Sequence, residues 1–101
     1  MASSATMKAT LLIRRRVVYE DGAIAAMVVW KVPEPVQPTT HGFKYSLAYV
    51  VGGHRVLGYD NERGKGDHRH DGETEEPFEF SSAQDLLDRF VAEIEMIRGR
   101  S

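Results

Sequence analysis

The sequence predicts an α+β domain, a four- to five-stranded antiparallel sheet in a meander packed against one C-terminal helix. Three observations carry that prediction. Apolar residues alternate with a period of two through most of residues 7–60, the spacing of half-buried strands. Asp21-Gly22 and Gly52-Gly53 fall between such runs, where glycine accepts the positive φ of a tight hairpin turn. Leu86, Leu87, Phe90, Val91, Ile94 and Ile97 then recur at the spacing of one helical face.

The elements follow in order. Residues 7–19 read as a first strand with Leu11, Ile13 and Val17 on one side. Residues 23–32 read as a second, with Ile24, Val28, Trp30 and Val32 on one face and Met27 and Val29 on the other. That pattern suits a strand covered on both sides. Pro33, Pro35 and Pro38 cannot donate to a ladder, so residues 33–41 are a loop. Residues 43–51 alternate again, and residues 54–60 form the fourth strand. Residues 61–76 are polar and glycine-rich and read as a loop. Residues 77–80 form a short edge strand with Phe78 and Phe80 on one face. Ser81 with Gln84 has capping-box spacing for the helix, and Gly99 ends it.

Composition narrows the function. The chain has 101 residues, and one of this size buries roughly 60–65% of its unfolded surface, enough for one core. Residues 1–6 read as a flexible leader and residues 7–98 as a single domain, with no room for a large cofactor between lobes; no cofactor is expected. The absence of cysteine excludes a disulfide scaffold, a zinc–cysteine site and a thiol nucleophile. No apolar run is long enough to cross a bilayer and no signal peptide is recognisable, so the cytoplasm is the expected location, without a membrane partner. The net charge of −2 is uneven: residues 1–53 carry six Lys/Arg against three Asp/Glu, residues 54–101 seven against twelve. An acidic total disfavours generic nucleic-acid binding but allows a local basic face.

The segment 61–76 holds the candidate chemistry. His68 and His70, if locally extended, point to the same side about 6.5–7 Å apart. That separation flanks a phosphodiester, one imidazole taking the 2′-hydroxyl proton and the other protonating the leaving oxygen. Arg69, Lys65 and Arg63 would neutralise the phosphate and its transition state, and Gly64 and Gly66 would let backbone N–H groups approach it. The candidate catalytic set is therefore His68, His70, Arg69 and Lys65. His41 and Lys44, at the start of the third strand, and Tyr59, Asp60 and Asn61, at the end of the fourth, lie close enough in an antiparallel hairpin to contribute to substrate binding. A solvated loop without chemistry is the plain alternative. A metal site from His68 and His70 with Asp60, Asp67 or Asp71 is a weaker one, because the interleaved basic residues repel a cation. No metal is expected. Arg14-Arg15-Arg16 reads first as charge protecting an edge strand and second as an RNA contact. Asp85, Asp88, Glu93 and Glu95 read as the solvated face of the helix.

His41-Gly42-Phe43-Lys44-Tyr45, Tyr59-Asp60-Asn61-Glu62, Gly64-Lys65-Gly66-Asp67-His68-Arg69-His70 and Phe80 with Leu86-Leu87 and Phe90 resemble the TumE family over residues 8–97. The resemblance implies a growth-inhibiting toxin of a toxin–antitoxin module, acting on RNA and held inactive by a cognate DNA-binding antitoxin. Ser46 departs from the arginine expected in similar proteins. Two hypotheses follow, a metal-independent endoribonuclease and a non-catalytic protein-binding module, with a metal-dependent nuclease or transferase as a third. A homodimer is left open.

Overall fold

The computed structural model describes residues 8–99; the expected leader at 1–6 lies outside the described residues. Six strands, β1 (Thr10–Val18), β2 (Ile24–Lys31), β3 (Phe43–Val51), β4 (His54–Glu62), β5 (Gly66–Asp71) and β6 (Thr74–Pro77), precede one helix, α1 (Ala83–Gly99). They form one antiparallel sheet in chain order. The meander and the C-terminal helix agree with the sequence. The strand count is corrected from four or five to six.

The correction falls in the segment read as a loop. β4 continues to Glu62, turns through residues 63–65 into β5, and turns again at Gly72 into β6. Gly64, Gly66 and Gly72 have φ of +89°, +82° and +63°, backbone that L side chains rarely adopt, so these glycines make hairpins and not a mobile loop. Alternation of polarity fails here because β5 is polar on both faces, leaving a period-two search nothing to detect. The edge strand correspondingly lies at Thr74–Pro77 and not at 77–80, with Phe78 and Phe80 beyond it.

Two bulges decide which side chains share a face. Leu11 pairs with Trp30 but Ile13 pairs with Val29, so Leu12 is the extra residue. Leu11 therefore leaves the face that holds Ile13 and Val17. In β4, Arg55 pairs with Val50 and Leu57 with Tyr49, so Val56 is the extra residue and Arg55 turns to the face opposite Leu57.

Only one face is covered by the helix. Its rows read Arg15, Met27, Leu47, Tyr59, Arg69, Glu76 and, one pleat along, Val17, Ala25, Tyr49, Leu57, Asp71, Thr74. Leu86, Phe90 and Ile94 of α1 pack onto Tyr45, Leu47, Tyr49, Leu57 and Tyr59. The tyrosines gain edge-on aromatic contacts, Tyr59 with Phe78 at 4.8 Å and Phe90 at 6.3 Å between centroids. The buried side of β2 is thus Ala25, Met27 and Val29; Ile24, Val28 and Trp30 face the uncovered side and are only half-buried, so the expectation of cover on both sides is corrected.

The helix starts one residue later than expected. Ser82 Oγ accepts the Asp85 N–H at 3.0 Å and caps it, while Ser81 Oγ donates to the Asp85 carboxylate at 2.8 Å. At the far end Arg98 donates to Tyr49 Oη at 2.9 Å and stands over the Tyr19 ring, tying the last turn to the first hairpin.

Phe90 is fully buried at the centre of this contact. Phe90→Ala is expected to cost about 3–5 kcal/mol, read as a lowered urea midpoint with an unchanged slope.

Candidate functional site

The uncovered face carries its own rows. One runs Arg14, Val28, Ser46, Asp60, His68, Pro77; the next runs Arg16, Ala26, Ala48, Gly58, His70, Glu75. Alternation therefore places His68 and His70 on one face, as the sequence implies, and Arg69 on the other. The grouping of Arg69 with the two histidines is corrected on geometry. Small residues (Ser46, Ala48, Ala26, Gly58) form a shallow floor between the histidines and the basic side chains of β1. Arg14 stands 5.9 Å from the Trp30 ring at that margin.

The histidines differ in what their ring nitrogens can do. His68 Nδ1 lies 3.1 Å from the Gly66 carbonyl, an acceptor, so Nδ1 carries the proton and donates it. Nε2 is then the basic nitrogen, and it has no hydrogen-bond partner among the described residues. His70 is buried and committed at both nitrogens. The Arg55 guanidinium donates to Nδ1 at 3.0 Å, so Nε2 carries the proton and faces the Asp60 carboxylate at 3.3 Å. His41 is likewise committed, its Nδ1 accepting the Phe43 N–H at 3.2 Å and its Nε2 donating to Asp67 at 2.8 Å. Tyr45 donates to the same Asp67 oxygen, and His41 stacks on Phe80 with centroids 3.8 Å apart. His41 is a latch holding the proline loop to β5 on the helix side, away from His68.

The remaining expected residues divide in the same way. Lys44 is on the uncovered face and donates to the Asn61 carbonyl at 3.3 Å. Asp60 is beside it, holding His70. Tyr59 is fully buried in the core, its hydroxyl donating to Glu93. Asn61, 1% exposed, joins β4 to β3 by accepting the Tyr45 N–H at 3.0 Å and donating to the Phe43 carbonyl at 2.7 Å. Neither side chain is presented to a substrate. Lys65 is exposed and pairs with Glu75 at 3.4 Å, and Arg63 is exposed on the β4–β5 turn. The Gly64 N–H donates to the Gln37 carbonyl at 2.8 Å and the Lys65 N–H to Glu62, so the turn docks on the proline loop and its amides are not an anion cradle.

Arg69 closes the helix side. It pairs with Glu93 at 2.7 Å and Glu76 at 3.1 Å and donates to Tyr59 Oη at 3.3 Å. The Glu93 hydrogen bond raises its pKa further. Burial first, and the Glu93 hydrogen bond second, push the Tyr59 phenol up to about 12. Burial and Asp67 push the Tyr45 phenol upward more strongly. Glu93 is thereby removed from the solvated face expected for it; standing three residues after Phe90, it flanks the buried stripe. Asp67 and Asp71 also lie on the helix-side face, apart from the histidines. Among the described residues no cluster of three His, Asp or Glu side chains is placed to hold a metal ion.

Sequence reading missed Arg55 and Gly58. Parity alone puts Arg55 with Leu57 in the core, and the bulge at Val56 reverses it. Gly58 is what lets Arg55 reach His70: a Cβ there would stand 2.9 Å from Arg55 Cδ and 3.3 Å from the Leu47 carbonyl oxygen.

These features define a small α+β domain with one helix-covered face and one bare, histidine-bearing face. Its sequence matches the family model described as Toxin TumE over residues 5–98, and the chain belongs to that family of toxins. No curated protein and no solved structure matches it.

Two outcomes check this geometry. Gly58→Ala is expected to displace Arg55 and move the His70 Nδ1 resonance in nitrogen NMR while the fold is retained. Because the folded state holds the Tyr59 proton more tightly than the unfolded chain does, stability is full below pH 10 and falls as pH rises from about 10 to about 12. Urea midpoints against pH read that fall, and Tyr59→Phe is expected to make it shallower, Tyr45 supplying the remainder.

Proposed function

We propose that this toxin cleaves RNA on the uncovered face by metal-independent proton transfer at His68, and that a cognate DNA-binding antitoxin holds it inactive. The observation that carries this reading is the hydrogen bond from His68 Nδ1 to the Gly66 carbonyl. It leaves the Nε2 lone pair unpartnered on a face that also bears Lys44 and Arg55. An imidazole whose Nδ1 donates to a carbonyl and whose Nε2 is left free is suited to accept a hydroxyl proton.

In the proposed reaction His68 Nε2 takes the proton of a ribose 2′-hydroxyl. The 2′ oxygen forms a bond to the adjacent phosphorus, the bond from phosphorus to the 5′ oxygen breaks, and the leaving oxygen takes a proton from water. The products are a 2′,3′-cyclic phosphate and a 5′-hydroxyl. Arg55 and Lys44 stabilise the charge that develops on the phosphoryl oxygens, with Lys65 and Arg63 adding positive potential at the near turn. His70, Asp60 and Gly58 act through Arg55, which they hold in place. The small floor lets a nucleic-acid backbone approach the sheet, and the Trp30 ring with Arg14 above it offers a stacking surface at its margin. Arg69 has a structural part in this reading, joining β5 and β6 to the helix.

The test is induction of the chain in a bacterium without an antitoxin, beside RNA digestion by the purified protein in EDTA. Growth arrest and cleavage by the wild type are expected. His68→Ala is expected to lower cleavage by about 10²–10⁴-fold at unchanged melting temperature. Arg69→Ala is expected to lower the melting temperature instead. Cleavage that stops in EDTA would move the reading to a metal-dependent nuclease. Arrest by both wild type and His68→Ala, without RNA cleavage, would move it to a non-catalytic binding module.

A further inference from the structure

The helix leaves part of its own face of the sheet bare. A groove of about 450 Å³ runs between β1–β2 and α1, floored by Ile13, Val17 and Met27 and walled by Leu87 and Val91. Arg15 lies at its rim. Leu12 and Val91 nearby are 48% and 43% exposed. Along this groove β1 is the edge of the sheet, nine residues long, with no strand on its outer side among the described residues. Long edge strands with unpaired backbone groups are templates for another strand.

Charge selects the occupant. Arg14, Arg15 and Arg16 are consecutive and exposed, and none has a carboxylate within ion-pair distance among the described residues. Arg15 has no hydrogen bond there either. A second copy pairing β1 with β1 would set arginine against arginine, which destabilises a cross-strand pair. The opposite edge of a second copy is no better. β6 has four residues and ends in Pro77, and Glu75 and Glu76 already pair with Lys65 and Arg69. Side-chain alternation then specifies the fit on both faces, since Arg14 and Arg16 point to the uncovered face while Ile13, Arg15 and Val17 point into the groove.

We propose that β1 and its groove receive an extended, acidic segment of another protein as a seventh strand. That segment presents carboxylates opposite Arg14, Arg15 and Arg16 and apolar side chains opposite Ile13 and Val17. Main-chain hydrogen bonds to the outer edge of β1 supply the register, and the groove and the three arginines supply the specificity. The inference stands apart from the proposed RNA cleavage, which rests on His68 at the other end of the sheet.

The probe is a capped synthetic peptide, Thr-Val-Val-Glu-Glu-Glu-Val-Val-Thr, compared with its counterpart carrying three lysines. Binding to the full chain is followed by fluorescence anisotropy and by amide exchange of residues 10–18. The acidic peptide is expected to bind, the lysine peptide to fail, and outward-facing β1 amides to become protected. Arg15→Glu and Val91→Glu change exposed side chains and are expected to keep the melting temperature while each weakens the acidic peptide about tenfold or more. No binding at millimolar peptide, equal binding of both peptides, or wild-type affinity in both variants overturns the proposal. Sedimentation showing a dimer that competes with the peptide overturns it in favour of a second copy.

Discussion

One helix has to cover a six-stranded sheet, and it is too narrow to do so. A helix with its side chains is about 10–12 Å across, whereas six strands spaced about 4.8 Å apart span about 24 Å. α1 therefore packs on β3 and β4, and among the described residues no further helix or sheet covers the rest of that face or the other. The largest buried side chains sit where the cover is: Tyr45, Leu47 and Tyr49 on β3, Leu57 and Tyr59 on β4, Phe90 on the helix. Toward β5 the cover thins, and the contact changes character from apolar packing to the Arg69–Glu93 pair with the Tyr59 hydroxyl. Toward β1 it stops, and an apolar groove remains. Both proposed surfaces lie where this helix gives no cover.

The same constraint governs the chemistry of the polar hairpin. A strand at the margin of the cover has one side facing the last of the core and one facing solvent, and β5 has polar residues on both. On the helix side those residues must be satisfied, and they are: Asp67 by Tyr45 and His41, Arg69 by Glu93, Glu76 and Tyr59. On the other side they are not all required for stability, which is what allows His68 to keep a basic nitrogen unpartnered. Arrangements that look alike in sequence thus serve opposite ends. His41 and His70 are locked at both ring nitrogens, and His68 at one.

The proposed cleavage and the proposed strand addition use different places on the molecule, the histidine face over β4–β5 and the free edge at β1. Arg14 and Arg16 connect them, pointing to the face of the histidines from the strand that forms the edge. A segment added beside β1 would therefore alter the potential over the face that bears His68 without touching it.

Much of the fold was legible by elementary rules. Asp21-Gly22 and Gly52-Gly53 made their hairpins because glycine tolerates positive φ, the proline loop fell between β2 and β3, and the spacing from Leu86 to Ile97 made the helix. The i, i+2 spacing of His68 and His70 puts them on one face if the segment is extended, and the structure makes it so. What it could not show was that residues 61–76 are strands at all, because polarity on both faces erases the alternation that reveals a strand. Nor could it place Arg55, whose face is reversed by a bulge that exists only in the pairing with β3. The roles of Arg69, Tyr59 and Glu93 were decided by the helix, and that of Asn61 by the pairing of β4 with β3. Local periodicity states which residues lie on the same side of a strand; only the packing of another element states which side is inside.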